Sequence, residues 1–164
     1  MIRLVIVDDM PDIRNYLAEE LAAASEQFSV VGAAEDGTEA VKLVDSLLPD
    51  VVLMDIQMKT RTEGIYAIRI IHERHPDIKC IALTIHEDDE LIFQAYLAGA
   101  ADYIIKTRSI DTIKNSILAG SQQSTASASR SRSAADSGVS ARSESREPHE
   151  RNHAGDAQNQ HDRI

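Results

Sequence analysis

The sequence predicts an α/β domain. Its expected core is a five-stranded, parallel, doubly wound sheet in the flavodoxin-like order 2-1-3-4-5, with helices on both faces and a disordered carboxyl-terminal tail. Three observations carry that expectation. Five short apolar runs alternate with five stripes of helical period. The runs are mostly continuous rather than alternating, as in strands covered on both faces. Prolines fall where helices begin or have just ended. Right-handed crossovers between parallel strands then leave few arrangements, of which this one is the expected result.

The apolar runs Ile2–Val7, Phe28–Ala33, Val51–Met54, Ile78–Leu83 and Tyr103–Ile105 are read as strands 1 to 5. After strand 1, Ile13, Tyr16, Leu17 and Leu21 recur at helical spacing, and Pro11 suits the first turn. Ala40, Val41, Val44, Leu47 and Leu48 form the stripe of helix 2, which Pro49 follows. Ile65, Ile68 and Ile71 mark helix 3, ending before Pro76. Leu91, Ile92, Ala95 and Tyr96 mark helix 4, and Ile110, Ile113 and Ile117 mark helix 5. Cys80, on strand 4, reads as a small core residue.

Composition separates residues 1–120 from residues 121–164. The chain has 164 residues, with 17 Lys+Arg against 27 Asp+Glu and a net charge of −10. Residues 121–164 hold six Arg and six acids, so the whole charge belongs to the first 120. The later segment has ten Ser, no aromatic, and only Val139 and Ile164 as large aliphatics. Such a segment buries too little apolar surface to offset chain entropy and reads as disordered. The acidic part disfavours direct binding to nucleic acid or an anionic membrane surface. A single cysteine excludes an internal disulfide and a multi-Cys zinc site. No apolar run approaches the ~20 residues of a membrane span, and MIRLVIVDDM does not read as a signal peptide. A cytoplasmic location is expected.

Ligands of doubly wound sheets lie at the carboxyl ends of the strands, near the switch point. There the sequence sets Asp8 and Asp9 after strand 1, Asp55 at the end of strand 3, Thr84 at the end of strand 4 and Lys106 after strand 5. One Asp at a strand end is ordinarily a helix cap or a solvated loop residue. Three in one crevice repel one another unless a cation intervenes. A sparse, all-oxygen set suits Mg²⁺. Cation and ammonium together make a receptor for a phosphoryl group, which a carboxylate could accept as an acyl phosphate.

The segments VIVDDMPDIR, VVLMDIQM, IALTIHED and GAADYIIKT, in this order, resemble the receiver domain of two-component response regulators over about residues 2–119. The resemblance implies that Asp55 is the phosphoacceptor, taking its phosphoryl group from a sensor histidine kinase or a phosphotransfer protein. It implies Mg²⁺ held by Asp9 directly, Asp8 through water, Asp55, and the Gln57 backbone carbonyl. Lys106 would contact the phosphoryl oxygens. Thr84 and Tyr103 would form the switch pair that remodels helix 4, strand 5 and helix 5. Helix 1, with Pro11, Ile13, Arg14 and Leu17, would lie at the kinase-docking surface. Catalysis would be confined to the chain's own phosphorylation and dephosphorylation, with no enzyme activity on an outside metabolite. Some family members associate through helix 4, strand 5 and helix 5, so a phosphorylation-dependent homodimer is among the implied partners. Thr107, where many receivers have Pro, and SIDTIKNSILAG after it are similar to the NarL/LuxR-like group, whose output is a DNA-binding helix-turn-helix domain and whose response is transcription.

Several positions depart from that pattern. Lys59 stands where Pro is usual, and Gly64 lies nine residues after Asp55, one more than usual, so the loop after strand 3 is altered. Ile85 replaces a small residue beside Thr84 and is expected to slow phosphoryl exchange or hydrolysis. His86 reads either as a tuner of acyl-phosphate lifetime or as a plain loop residue. His72 and His75 read as solvated, and Glu87 to Glu90 as charges suited to a helix start. Residues 121–164 lack the periodicity of a helix-turn-helix domain. Two accounts stand: a stand-alone receiver with a disordered tail, or an out-of-frame segment in place of an output domain. Two other functions also remain open at this point: a phosphorylation-independent docking module, and an aspartyl phosphohydrolase, which the adjacent Asp8–Asp9 pair fits poorly.

Overall fold

A computed structural model describes the backbone of residues 1–134 and the side chains of residues 1–122. Its elements alternate strictly. They are β1 (Ile2–Val7), α1 (Pro11–Ala22), β2 (Phe28–Ala34), α2 (Gly37–Leu47), β3 (Val51–Asp55), α3 (Glu63–Arg74), β4 (Lys79–Thr84), α4 (Asp89–Ala98), β5 (Asp102–Ile105) and α5 (Ile110–Ala134). The strands form one parallel sheet in the expected order β2-β1-β3-β4-β5.

The continuous apolar runs have a simple cause. Neighbouring residues of a strand point to opposite faces, and both faces are covered. Val5, Val7, Val52, Met54, Cys80 and Ala82 face α2, α3 and α4 through Ala40, Val44, Ile65, Ile68, Ile71, Leu91 and Ala95. Leu4, Ile6, Val51, Leu53, Ile81, Leu83 and Ile104 face α1 and α5 through Leu17, Leu21, Ile113 and Ile117. Each buried Val, Leu, Ile or Met side chain among these contributes on the order of 1.5–3 kcal/mol.

Local chemistry fixes the helix ends. Pro11 opens α1. Asp36 caps α2 by accepting from the Glu39 N–H at 2.8 Å, and Asp88 caps α4 by accepting from the N–H groups of Glu90 and Leu91. Gly99, at φ 110°, ends α4 in the left-handed region.

Four residues assigned to apolar stripes do not join the core: Leu48, Tyr16, Tyr96 and Ile92, the last half-buried. Leu48 is the left-handed cap of α2, at φ 46°, and is exposed. The helix ends at Leu47 because Pro49 cannot continue it. Tyr16 and Tyr96 lie at stripe margins and are about half exposed, and Tyr96 hydrogen-bonds the Asp102 side chain. His75 is more than a solvated residue. Its Nε2 lies 2.7 Å from Asp45 Oδ1, and Arg74 donates to Oδ2 of the same carboxylate. The boundary drawn after Gly120 falls within α5, whose backbone is helical to Ala134. Residues 135–164, the rest of the segment expected to be disordered, lie outside the described residues.

Candidate functional site

Parallel strands end on the same rim, and here the rim gathers charge. β1 and β3 run side by side with Val7 opposite Met54, so Asp8 and Asp55 follow at the same height. β4 and β5 pair Thr84 with Ile105, which sets Lys106 beside them. Asp8, Asp9 and Asp55 each offer an oxygen within 4.8 Å of the others. Asp8 and Asp55 are buried, whereas Asp9 is exposed.

The two buried carboxylates are held alike. Asp8 Oδ1 accepts from the Met10 N–H at 2.9 Å, and Asp55 Oδ1 accepts from the Gln57 N–H at 3.2 Å. Each is a local turn bond to the residue two positions on. The other oxygens share one ammonium: Lys106 Nζ lies 2.6 Å from Asp8 Oδ2 and 3.1 Å from Asp55 Oδ2. No buried side-chain polar atom among the described residues lacks a hydrogen-bond partner. One ammonium does not balance three carboxylates. Burial, first, pushes the Asp55 carboxyl up to about 6; Lys106 opposes this, and the Asp8 and Asp9 charges add to it. The all-oxygen donor set and the surplus negative charge fit a hard divalent cation.

Thr84, buried at the end of β4, donates to the His86 carbonyl at 3.2 Å. The Tyr103 hydroxyl reaches the same carbonyl at 3.4 Å, and burial raises its pKa. The hydroxyls of both residues therefore rest on one backbone oxygen of the loop before α4. Ile85 in that loop is half exposed, and His86 is exposed. Glu87, Asp89 and Glu90 are also exposed, and among Glu87 to Glu90 it is Asp88 whose carboxylate caps the helix.

Two residues named in the sequence have contacts at the rim that their positions in the chain did not show. Arg14, expected at a docking surface, donates to the Asp8 backbone carbonyl at 2.7 Å. Gly64 brings the start of α3 against the end of β3. A Cβ there would sit 2.0 Å from the Asp55 carbonyl oxygen. Its place in a helical segment hides this need, although a glycine inside an apolar stripe is a usable sign of close backbone approach.

The chain is similar to known proteins in sequence and fold. Residues 4–118 match the response regulator receiver domain family. Over 112 residues the chain is 38% identical to the transcriptional regulatory protein DegU of Brevibacillus brevis, covering 68% of this chain and 47% of that protein. It is 38% identical to the transcriptional regulatory protein LiaR of Bacillus subtilis, covering 74% and 57%. The chain thus spans about half the length of the curated relatives it matches. Among solved structures, the signal receiver domain of the response regulator NarL from Mycobacterium tuberculosis superposes with a TM-score of 0.69 at 27% identity, covering 74% of this chain and 96% of that one. A LuxR-family DNA-binding response regulator from Staphylococcus aureus gives a TM-score of 0.67 at 26% identity, covering 74% and 99%.

Proposed function

The chain belongs to the response regulator receiver domain family of two-component systems, and from that premise we propose that Asp55 accepts a phosphoryl group from a sensor histidine kinase or a phosphotransfer protein. The observation that carries this reading is the buried Asp8–Lys106–Asp55 bridge with Asp9 beside it. An oxygen of Asp55 attacks phosphorus, the bond from phosphorus to the donor imidazole nitrogen breaks, and the imidazole leaves with the bonding pair and takes up a proton. Lys106, already on Asp55 Oδ2, keeps its positive charge beside the phosphoryl oxygens. Asp8, Asp9, Asp55 and the Gln57 carbonyl would hold Mg²⁺. When bound, that ion supplies charge neutralisation and Lewis acidity at the phosphoryl oxygens.

The switch follows from the bonds at His86. Thr84 turns its hydroxyl from the His86 carbonyl toward the phosphoryl group, and the Tyr103 hydroxyl is left as that carbonyl's side-chain donor. The change is local in charge and is read on the surface of α4, β5 and α5, where a homodimer or an output partner engages. The response is transcriptional, in line with the names of the curated relatives. The chemistry acts on the chain itself rather than on an outside metabolite. We assign it to the cytoplasm; among the described residues no helix is long and apolar enough to cross a membrane.

The test is incubation with acetyl phosphate, with and without Mg²⁺, followed by intact mass, for wild type and Asp55→Ala. The expected result is a Mg²⁺-dependent gain of one phosphoryl group that the variant lacks. No gain in wild type under any condition would overturn the reading in favour of a phosphorylation-independent docking module. Turnover of a free phosphate ester would point to a phosphohydrolase.

A further inference from the structure

The altered loop after β3 is tied down at both ends. Its turn closes with the Met58 N–H on the Thr60 carbonyl at 3.2 Å. On one side, Lys59 Nζ lies 3.1 Å from Asp36 Oδ2, the cap of α2. Glu63 fastens the same side twice, accepting from the Lys59 N–H at 3.1 Å and from the Gly37 N–H at 3.0 Å. On the other side, Arg61 donates to Asp88 Oδ2, while Oδ1 of that carboxylate caps α4. Residues 58–63 therefore span from the start of α2 to the start of α4, past the end of β3. The Arg61 end reaches the loop whose His86 carbonyl holds the hydroxyls of Thr84 and Tyr103.

We propose that Arg61 is a positioning residue: its hold on Asp88 keeps the β4–α4 loop in the arrangement that turns Thr84 away from Asp55, and so restrains phosphoryl transfer. The inference rests on the reading of Asp55 as phosphoacceptor. Thr84 cannot meet the incoming group while its hydroxyl faces His86, and turning it requires residues 85–88 to give way. An ion pair on Asp88 opposes that movement. The pair is partly exposed, with Arg61 at 62% and Asp88 at 28% side-chain exposure, so its effect is graded and screened by salt. Lys59 and Glu63 anchor the far end, so that Arg61 pulls against a fixed point.

The test compares wild type, Arg61→Gln, Asp88→Asn and the double variant. Asn retains an oxygen able to cap α4. Acetyl phosphate labelling with Mg²⁺ is expected to run about two- to fivefold faster in either single variant, the size an exposed ion pair carries, with an unchanged end-point of one group. The double variant is expected to match the singles rather than multiply them. High salt should bring wild type toward Arg61→Gln and leave that variant unmoved. Amide hydrogen exchange at residues 85–88 of the unphosphorylated proteins is expected to quicken in Arg61→Gln, with α2 unchanged. Equal exchange at residues 85–88 in wild type and Arg61→Gln overturns the proposal, whether or not any protein takes a phosphoryl group. Labelling rates that are unchanged, or multiplicative in the double variant, overturn it as well. Failure of wild type to be labelled overturns the reading of Asp55 instead, and the exchange comparison then decides on Arg61 by itself.

Discussion

Two stretches of β3 lie equally far from water and have opposite chemistry. Val51 to Met54 are fully buried and apolar, and each contributes to one of the two cores. Asp55, the next residue, is 3% exposed and carries a carboxylate. The first four residues stabilise the sheet wherever they meet methyl groups. The fifth opposes folding unless a counter-charge stands beside it, because burial penalises its ionised form. The apolar interior thus provides the stability against which the rim holds a strained charge, and the proposed function draws on that junction.

The sharpest way to break this contrast is at Gly64, which lets α3 close over the end of β3. In Gly64→Ala the new Cβ would meet Asp55 O at 2.0 Å and Ile56 Cα at 2.6 Å. Both are backbone atoms, so the helix start must shift, and a loss of more than about 3 kcal/mol is expected by urea unfolding. A variant within about 1 kcal/mol of wild type would mean that the site does not need this approach.

Lys106→Met removes the ammonium that Asp8 and Asp55 share and keeps most of the side-chain bulk. At pH 8 a loss of about 3 kcal/mol is expected, since two buried carboxylates lose their partner. The loss should shrink on acidification as Asp55 protonates. The same loss at pH 4.5 and pH 8 would argue for packing instead.

Asp55→Asn sharpens the comparison from the other side. The native carboxyl titrates at about 6, above its ordinary value of 3.8. The folded state therefore binds this proton more tightly than the unfolded chain. The stability that protonation contributes is complete below about 3.8 and is lost as pH rises through about 6. Asn undergoes no such loss. The variant is expected to be more stable than wild type by about 1–3 kcal/mol at pH 8, with the gap closing by pH 4. A gap that persists at pH 4 would assign the effect to something other than the charge.

Ile85→Ala has the smallest expected effect on stability, within about 0.5 kcal/mol, because the side chain is 46% exposed. Its consequence should be kinetic: faster labelling by acetyl phosphate and faster loss of the group, as access beside Thr84 widens. Unchanged rates would remove Ile85 from the account.

Strand and helix identities were legible because periods of two and 3.6 are local properties. The rim was legible as well, since Asp8, Asp55, Thr84 and Lys106 each stand at or just past a strand end and parallel strands finish together. The errors in the stripes were of degree. Leu48, Tyr16 and Tyr96 fit the spacing but fall at a helix end or stripe margin, where neighbours rather than period decide burial.

What the sequence by itself determined is the alternating architecture, the sheet order and the set of polar groups delivered to one rim. Hydrophobic pattern, turn chemistry and the handedness of crossovers suffice for these. Only the tertiary structure decided how those groups meet. Lys106 reaches Asp8 across 98 residues of chain, Lys59 reaches Asp36 across 23 and Arg61 reaches Asp88 across 27. No local pattern specifies such pairs, because Coulomb and hydrogen-bond energies depend on distance and burial in the folded chain. The raised pKa of Asp55 has the same origin: Asp is an ordinary acid in the sequence and becomes a strained one only when β3 carries it out of water.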